Sequence, residues 1–186
     1  MYAKQPTVYY GLMYLAKNAK KEVKIHTPYI ICNDYMYNEL KNIKVPTTIM
    51  TNSAENNGNI FGAVDYLNHK KDIINAGVTI KEYEGGISYH GKSMTIDDDI
   101  AIVGSFNMDM RSAYIDTELM LVINSKDINK QLKASMEEYE KKAATVKNET
   151  EYSHIPEGMK MKELSDKKKN IKAWFGWAMN GLRFLF

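Results

Sequence analysis

The spacing of apolar residues along the chain alternates between the period of a helix and the period of a strand. In residues 8–19 apolar side chains recur every three or four positions with lysines between them, which predicts an amphipathic helix. In residues 22–27 polar and apolar side chains alternate and then meet Pro28, which predicts a short strand that ends in a loop. The same rules predict helices over residues 34–42, 61–75 and 128–146, and strands over residues 45–50, 78–83, 87–96, 100–103 and 119–123.

Strands and helices follow one another along the chain, and this order is typical of one class of domain. Strands separated by helices indicate an α/β domain in which helices flank a mixed β-sheet. Two polar stretches interrupt the pattern: residues 51–58 predict a loop, and residues 147–157 predict a linker or an irregular surface loop. The length of 186 residues fits a single domain.

Composition narrows the classes of function more than it narrows the fold. The chain carries 25 Lys and Arg against 23 Asp and Glu, a near balance that argues against a polycationic nucleic-acid binder. Its single cysteine, Cys32, excludes an intrachain disulfide and a cysteine-rich zinc site. No run of 18 apolar residues occurs, so the sequence predicts no helix that spans a bilayer.

One cluster of polar residues has a spacing that points to chemistry. The pattern is H-x-K-x4-D-x6-G-S-x-N, and it begins at His90 in the segment HGKSMTID. On a strand His90 and Lys92 would project to the same side, because side chains alternate between the two faces. Gly104 would allow a tight turn at the end of the next strand, after which Ser105 and Asn107 supply neutral hydrogen-bond donors.

The residue types in this pattern suit the binding and transfer of a phosphate. An imidazole, an ammonium, a hydroxyl and an amide that converge at strand ends form a phosphate site. A neutral histidine can attack phosphorus near pH 7, while lysine and asparagine stabilise the charge that builds on the non-bridging oxygens. Cationic side chains can hold the phosphate, so the pattern requires no metal and no other cofactor. The three acids at residues 97–99 fit a solvated turn better than a metal site.

These residues resemble the HKD motif of the phospholipase D superfamily, and the surrounding sequence is similar to bacterial cardiolipin synthases. The segment NMDMRS at residues 107–112, followed by Thr117 and Glu118, is similar to their N-x-D-x-R-S…E extension, with Asp116 where they usually carry Asn. The segments TPY at residues 27–29 and TNS at residues 51–53 resemble stretches in the second half of those enzymes. The resemblance covers roughly residues 8–145, the counterpart of the C-terminal half of a synthase with two motifs.

The resemblance implies a role for each matching residue, within a catalytic domain that spans residues 1–146. His90 would form a phosphohistidine or act as its general-acid partner, and Glu118 would hydrogen-bond the other nitrogen of that imidazole. Lys92 and Asn107 would clamp phosphate oxygens, and Ser105 would add a hydrogen bond. Outside this clamp, the implied roles are support of the fold for Asp97 and Gly104, and substrate binding for Tyr29 and Asn52.

The activity that the resemblance implies is transfer of a phosphatidyl group, as in cardiolipin synthesis from a phosphatidylglycerol-like lipid at a bacterial membrane. That chemistry needs two histidines at one phosphate, and the chain carries one motif, so a homodimer or a missing N-terminal half would supply the second. Nucleic acid is not an expected partner. Two alternatives stay open: a homodimeric single-motif phosphodiesterase or nuclease, and an inactive half that only binds lipid or another subunit.

Residues 147–186 form the expected linker and an aromatic, basic tail. Lys167, Lys168 and Lys169 precede an apolar segment that contains Trp174 and Trp177. This composition is typical of a helix at the surface of an anionic membrane. Packing of the tail on the body of the protein, or on a missing half, is the alternative.

Overall fold

The computed structural model describes residues 4–178 and Arg183, except for the side chains of residues 174–178. The helices are α1 (Thr7–Lys17), α2 (Asp34–Lys41), α3 (Ile60–Asn75), α4 (Met110–Tyr114), α5 (Lys126–Glu140) and α6 (Asp166–Ala178). The strands are β1 (Val23–His26), β2 (Ile30–Ile31), β3 (Thr47–Asn52), β4 (Thr79–Tyr83), β5 (Ser93–Ile96), β6 (Ile100–Gly104), β7 (Met108–Asp109), β8 (Met120–Asn124), β9 (Ala143–Val146) and β10 (Tyr152–His154).

A mixed sheet of eight strands forms the centre of the molecule, in the order β10-β9-β4-β3-β1-β5-β6-β8. Strands β1, β3 and β4 run parallel, and the other neighbouring pairs are antiparallel. Helices α1, α2 and α3 bury the main apolar core against one face, while α5 packs on the other. This architecture confirms the predicted α/β class with a mixed sheet flanked by helices.

Local capping explains where several helices begin and end. The side chains of Asn33 and Asn59 accept hydrogen bonds from backbone N–H groups in the first turns of α2 and α3. Gly77 has a φ of 80°, in the left-handed region that glycine enters freely, and it ends α3 where the sequence predicts. The helical period then sets which side chains of α1 are buried: Tyr9, Leu12, Met13 and Ala16.

The predicted strand over residues 87–96 is wrong in its first part, because β5 begins only at Ser93. Ser93 pairs with His26, the last residue of β1, and with Val103 near the end of β6. Beyond these residues both neighbouring strands end, so residues 87–92 have no strand beside them, within the described chain, with which to extend the sheet. His90 and Lys92 therefore lie in a loop.

The C-terminal part of the sheet also differs from the prediction. Helix α5 ends at Glu140 instead of residue 146, and the residues that follow form β9 beside β4. The expected linker over residues 147–157 contains β10, which pairs with β9 as a hairpin. Alanine favours a helix locally, but burial of Ala143 and Ala144 beside β4 decides the outcome. The expected boundary after residue 146 thus falls inside a hairpin of the sheet.

The described part of the tail packs on the body of the protein. Helix α6 lies against α3. The Lys168 ammonium donates at 2.8, 2.5 and 3.0 Å to the backbone carbonyl oxygens of Ala54, Glu55 and Asn57. Lys168 is only 8% exposed, so this one of the three lysines expected at a membrane is turned inward. The aromatic side chains of residues 174–177, and residues 184–186, lie outside the part of the chain that the structure describes.

Candidate active site

Strand direction brings the predicted catalytic residues to one edge of the sheet. Strands β1, β3 and β4 are parallel, so their carboxyl ends lie at the same edge. Strand β5 begins there because it is antiparallel to β1, and by the same pairing β6 ends there and β8 begins there. The residues that flank the ends of β5, β6 and β8 at this edge are His90, Lys92, Ser105, Asn107 and Glu118.

His90 and Lys92 form a close pair at this edge. The Lys92 Nζ atom lies 3.0 Å from His90 Nδ1 and donates to the His90 carbonyl oxygen at 2.9 Å. An ammonium can only donate, so this contact is a hydrogen bond when the imidazole nitrogen carries a lone pair, and it favours the neutral ring. The sequence predicted that alternation along a strand would bring the two side chains together. They lie in a loop instead, where the lysine side chain folds back onto His90.

The surroundings of the pair favour the neutral form of the imidazole. Partial burial lowers the pKa of His90, and the positive charge of Lys92 lowers it further. Burial also lowers the pKa of Lys92, against the opposing influence of the Glu118 and Asp109 carboxylates. His90 remains exposed at the edge of the sheet, so a substrate can reach the neutral ring.

A hydrogen-bond network joins the other predicted residues beside this pair. The Glu118 carboxylate accepts hydrogen bonds from the hydroxyls of Ser105 and Ser112, the latter at 2.9 Å. The Ser112 hydroxyl accepts from the backbone N–H of Asn107 at 3.2 Å and lies 3.4 Å from the Asn107 side-chain nitrogen. A carboxylate, two hydroxyls and an amide therefore share one connected network.

The hydrogen bond that the resemblance implies between Glu118 and His90 is not what the structure shows. Both carboxylate oxygens of Glu118 accept from serine hydroxyls, and Nδ1 of His90 contacts Lys92. The pairing of β6 with β8 explains the difference. The Ser105 backbone N–H donates to the Leu119 carbonyl at 2.9 Å, which sets the Glu118 carboxylate beside the Ser105 hydroxyl. Glu118 thus orients hydroxyls and acts on Lys92 through its charge.

Gly104 is required by a close approach of two strands, and not by the tight turn expected from the sequence. Its φ is not positive. A Cβ atom built on it would overlap the Leu119 carbonyl oxygen and lie 2.8 Å from the Met120 Cα atom. The Gly104 N–H also donates to the Lys92 carbonyl at 3.2 Å. Glycine therefore lets β6 lie between the Lys92 loop and β8.

Asp97 lies at the end of β5 that is remote from this site. Its carboxylate accepts hydrogen bonds of 2.7–3.2 Å from the backbone N–H groups of Lys20, Lys21 and Glu22. Its φ of 51° is in the left-handed region, which aspartate tolerates better than most residues. These contacts fasten the turn between β5 and β6 to the segment before β1. Across residues 4–178 and 183, no three His, Cys, Asp or Glu side chains are grouped to hold a metal ion.

Tyr29 lies close to the candidate active site. The parallel pair of β2 and β7 brings the segment after Tyr29 next to Asp109. Burial raises the pKa of the Tyr29 phenol, as does the nearby Asp109 carboxylate, while a hydrogen bond with Asn59 opposes the shift. The half-buried phenol therefore sits between the start of α3 and the acidic side chains of the site.

Asn52 does not have the surroundings of a substrate-binding residue. It is 1% exposed at the end of β3. Its side-chain oxygen accepts from the Tyr89 N–H and from Asn56, and its nitrogen donates to the carbonyl oxygens of Tyr89 and Pro28. An amide makes about four hydrogen bonds. Asn52 has none left for a substrate, which corrects the role expected from the sequence.

Two residues of the site, Ser112 and Asp109, lie in the NMDMRS segment noted in the sequence, but no role was predicted for them. Ser112 connects Asn107 to Glu118, and Asp109 begins α4 by accepting from the Ser112 backbone N–H at 2.5 Å. Burial raises the pKa of Asp109 to about 6, although its hydrogen bonds with Ser112 oppose the shift. The signals in the sequence were this segment itself and aspartate as a preferred first residue before a helix.

An apolar groove of about 420 Å³ opens beside the network, between α1 and β8. Glu118 and Leu119 form part of its wall. The Gly104 N–H donates to the Lys92 carbonyl and the Ser105 N–H donates to the Leu119 carbonyl, so two backbone hydrogen bonds connect the Lys92 loop to the wall of the groove. The other side chains that line the groove are mainly apolar: Val8, Leu12, Tyr14, Leu15, Met120 and Val122.

Comparison with known proteins agrees with this arrangement. Residues 12–139, more than half of the chain, match the family model described as cardiolipin synthase, PLD-like domain. The chain belongs to this phospholipase D-like family. The match includes the whole edge described above, and it ends before the β9–β10 hairpin and the tail.

Curated relatives of this phospholipase D-like domain are bacterial cardiolipin synthases. The chain is 31% identical over 157 residues to cardiolipin synthase 1 of Staphylococcus epidermidis, which covers 83% of this chain and 31% of that protein. It is 32% identical over 127 residues to a cardiolipin synthase of Staphylococcus aureus, which covers 67% of this chain and 25% of that protein. The domain thus spans a third or less of the relatives that it matches.

Solved structures share the phospholipase D-like fold. Nuc, a phospholipase D family member from Salmonella typhimurium, matches 74% of this chain and 89% of its own with a TM-score of 0.60 and 16% identity. A phosphatidylserine synthase from Haemophilus influenzae matches 94% of this chain and 44% of its own with a TM-score of 0.70 and 16% identity. At this level of identity the likeness supports the fold alone.

Proposed function

We propose that this domain transfers a phosphatidyl group between alcohols through a phosphohistidine formed on His90. The observation that carries the proposal is the exposed His90 imidazole held against the Lys92 ammonium, in surroundings that lower the pKa of the imidazole. Attack on an anionic phosphodiester needs a nucleophile and, beside it, a cation that offsets the negative charge of the phosphate. The similarity to cardiolipin synthases supports phosphatidyl transfer as the outcome.

The reaction proceeds in two steps, each of which exchanges one bond at phosphorus. An imidazole nitrogen of His90 attacks phosphorus, a P–N bond forms, and the P–O bond to the first alcohol breaks. A second histidine donates its proton to the leaving oxygen. An acceptor alcohol then loses a proton to that histidine, its oxygen bonds to phosphorus, and the P–N bond breaks. Phosphate oxygens draw the Lys92 hydrogen bonds away from the imidazole, and this frees its lone pair for attack.

The Asn107 amide stabilises the negative charge that develops on the phosphate oxygens. An amide nitrogen carries two N–H groups, so one can donate to Ser112, which orients the side chain, and the other to the phosphate. The single O–H of Ser105 already donates to Glu118, so Ser105 supports the edge of the site. A donor that is preorganised like the Asn107 amide stabilises a transition state because it needs no reorientation during the reaction. Glu118 also keeps Lys92 positively charged, since its carboxylate raises the pKa of that ammonium against the effect of burial.

The apolar groove supports a lipid as substrate. A phospholipid bound with its phosphate at Lys92 carries acyl chains that need apolar surface nearby, and the groove that includes Glu118 offers it. A phosphatidylglycerol-like lipid fits this requirement, and the enzyme would then work at the surface of a bacterial membrane. Among residues 4–178 and 183, no helix is long and apolar enough to cross a bilayer.

A second phospholipase D-like unit supplies the second histidine in this proposal. The longer pattern H-x-K-x4-D occurs once in the chain, at His90. His26 ends β1 at the same edge, but it is 1% exposed and contacts Glu140, and His69 lies in α3. Strand β8, at the end of the sheet next to Glu118, exposes Leu121 by 57%, and Leu119, just before the strand, is 78% exposed. An unpaired edge strand with exposed apolar side chains favours association. A second copy of this chain, or the other half of a longer synthase, would cover that edge.

Transfer of label from lipid to protein tests the proposal. The full chain is mixed with vesicles of phosphatidylglycerol labelled at phosphorus, quenched rapidly, and assayed for protein-bound label and labelled cardiolipin. We expect labelling of the parent and of His69→Ala, whose histidine pairs with Asp65 and Asp72 of α3, and none of His90→Ala. Label on His90→Ala would overturn the proposal. So would cleavage of DNA without any turnover of lipid. Light scattering shows whether the active species is a dimer.

A further inference from the structure

The loop that carries His90 is held in place mainly by side chains of another loop. Residues 87–92 form no helix or strand. Asn56 donates to the Ile87 carbonyl at 3.2 Å, and the Gly58 N–H donates to the Ser88 hydroxyl at 3.1 Å. Asn52 contacts the next residue, Tyr89, twice. The position of the catalytic histidine therefore depends on Asn52, at the end of β3, and on Asn56 and Gly58 in the polar loop that follows.

Asn52 forms the strongest of these links. Its side-chain amide donates to the Tyr89 carbonyl at 2.9 Å and accepts from the Tyr89 N–H at 2.8 Å, so both peptide groups of the residue before His90 are fixed. A third hydrogen bond, to the Pro28 carbonyl at 2.8 Å, ties the same amide to the loop after β1. The Asn52 amide thus forms the pair of backbone hydrogen bonds that a neighbouring strand would form with Tyr89.

We propose that Asn52 is a positioning residue, which holds the Tyr89 peptide groups and thereby fixes where the His90 imidazole meets the phosphate. This inference rests on the proposed function. Asn52 touches no substrate. Its effect is transmitted through one backbone step to His90, whose contact with Lys92 depends on the course of the loop. A displacement of about 1 Å in a reacting group lowers a rate by about 10²-fold.

A pair of variants in one loop tests the proposal. Asn52→Ala removes both contacts with Tyr89, and Asn57→Ala is the matched control. Asn57 is also buried and its amide lies 3.4 Å from the same Pro28 carbonyl, but it makes no hydrogen bond with Tyr89 among the contacts described. We expect phosphohistidine formation to slow by about 10²-fold in Asn52→Ala, with KM for lipid changed by less than about threefold. Asn57→Ala should keep the parent rate.

A second variant and an NMR measurement distinguish loss of positioning from loss of folding. If Asn52→Ala does not fold, Asn52→Ser retains one hydrogen-bonding group and should give an intermediate rate. The NMR signals of the His90 ring report its contact with Lys92 without any turnover, and we expect them to shift in Asn52→Ala and not in Asn57→Ala. If the parent never labels from lipid, the proposed function fails, and the NMR comparison still decides the role of Asn52. A parent-like rate and parent-like His90 signals in Asn52→Ala would overturn the inference, as would equal losses in both variants.

Discussion

Asp97 belongs to the catalytic sequence pattern, yet its contacts predict a role in stability. The perturbation is Asp97→Ala, which removes the carboxylate that binds three backbone N–H groups before β1. It also leaves alanine at a φ of 51°. The carboxylate is partly exposed, so the three N–H groups can form hydrogen bonds with water once it is removed. We therefore expect the loss of the carboxylate's hydrogen bonds to lower the unfolding free energy by about 2 kcal/mol. The left-handed backbone adds about 1 kcal/mol.

The expected loss of unfolding free energy is therefore about 3 kcal/mol, or about 6–12 °C in Tm for a chain of this length. Urea and thermal unfolding followed by circular dichroism measure it. Asp97→Asn should lose about 1 kcal/mol, because asparagine keeps an oxygen acceptor and tolerates the left-handed backbone. Asp98→Asn is the matched control: Asp98 lies on the same turn, pairs with Lys21 and Lys133 at the surface, and should leave stability near that of the parent.

The dependence of this effect on pH follows from the sign of the pKa shift. Burial acts to raise the pKa of Asp97, but the N–H groups of Lys20, Lys21 and Glu22 outweigh it and hold the pKa below its ordinary value. The carboxylate therefore stabilises the fold above pH of about 4, and the difference from Asp97→Asn disappears as the pH falls further. An Asp97→Ala protein with parent stability and no turnover would refute the reasoning and make Asp97 catalytic.

Three other perturbations test the site and its supports. In Lys92→Met the pKa of His90, followed by NMR, should rise toward its ordinary value yet stay below it, because burial still acts; an unchanged midpoint would contradict this. Lys168→Met should lose about 3 kcal/mol in urea unfolding, whereas Lys169→Met, at an exposed ion pair, should lose less than about 0.5 kcal/mol; equal effects would contradict the buried contact. Glu140→Gln should lose about 3 kcal/mol, because it removes the carboxylate shared by two lysines and a buried histidine; stability equal to the parent would show that the cluster contributes nothing.

Helices and central strands could be predicted from the sequence because their signals are local. The apolar period of α1, the Gly77 that ends α3, and the β-branched run of β3 each lie within a few neighbouring residues. The errors fall where secondary structure depends on a partner strand that is remote in sequence. Residues 87–92 have strand-like composition and no partner strand, and residues 143–146 have helical composition but pair with β4.

Sequence spacing named the chemical groups of the site without their geometry. It singled out His90, Lys92, Ser105, Asn107 and Glu118, because the pattern of types and intervals is specific. It predicted a bond between Glu118 and His90, whereas strand register directs that carboxylate to serine hydroxyls. Such a contact depends on how β6 pairs with β8, which the spacing alone does not fix.

The sequence by itself determined the α/β class, the family, and the imidazole, ammonium, hydroxyl and amide that the site would use. Only the tertiary structure decided that Asn52 holds Tyr89, 37 residues away, and that Asp97 and Lys168 support the fold at a distance from the phosphate site. The physical reason is that local propensity acts over a few residues, whereas parallel strand ends, side-chain clamps and buried ammoniums require segments remote in sequence to meet.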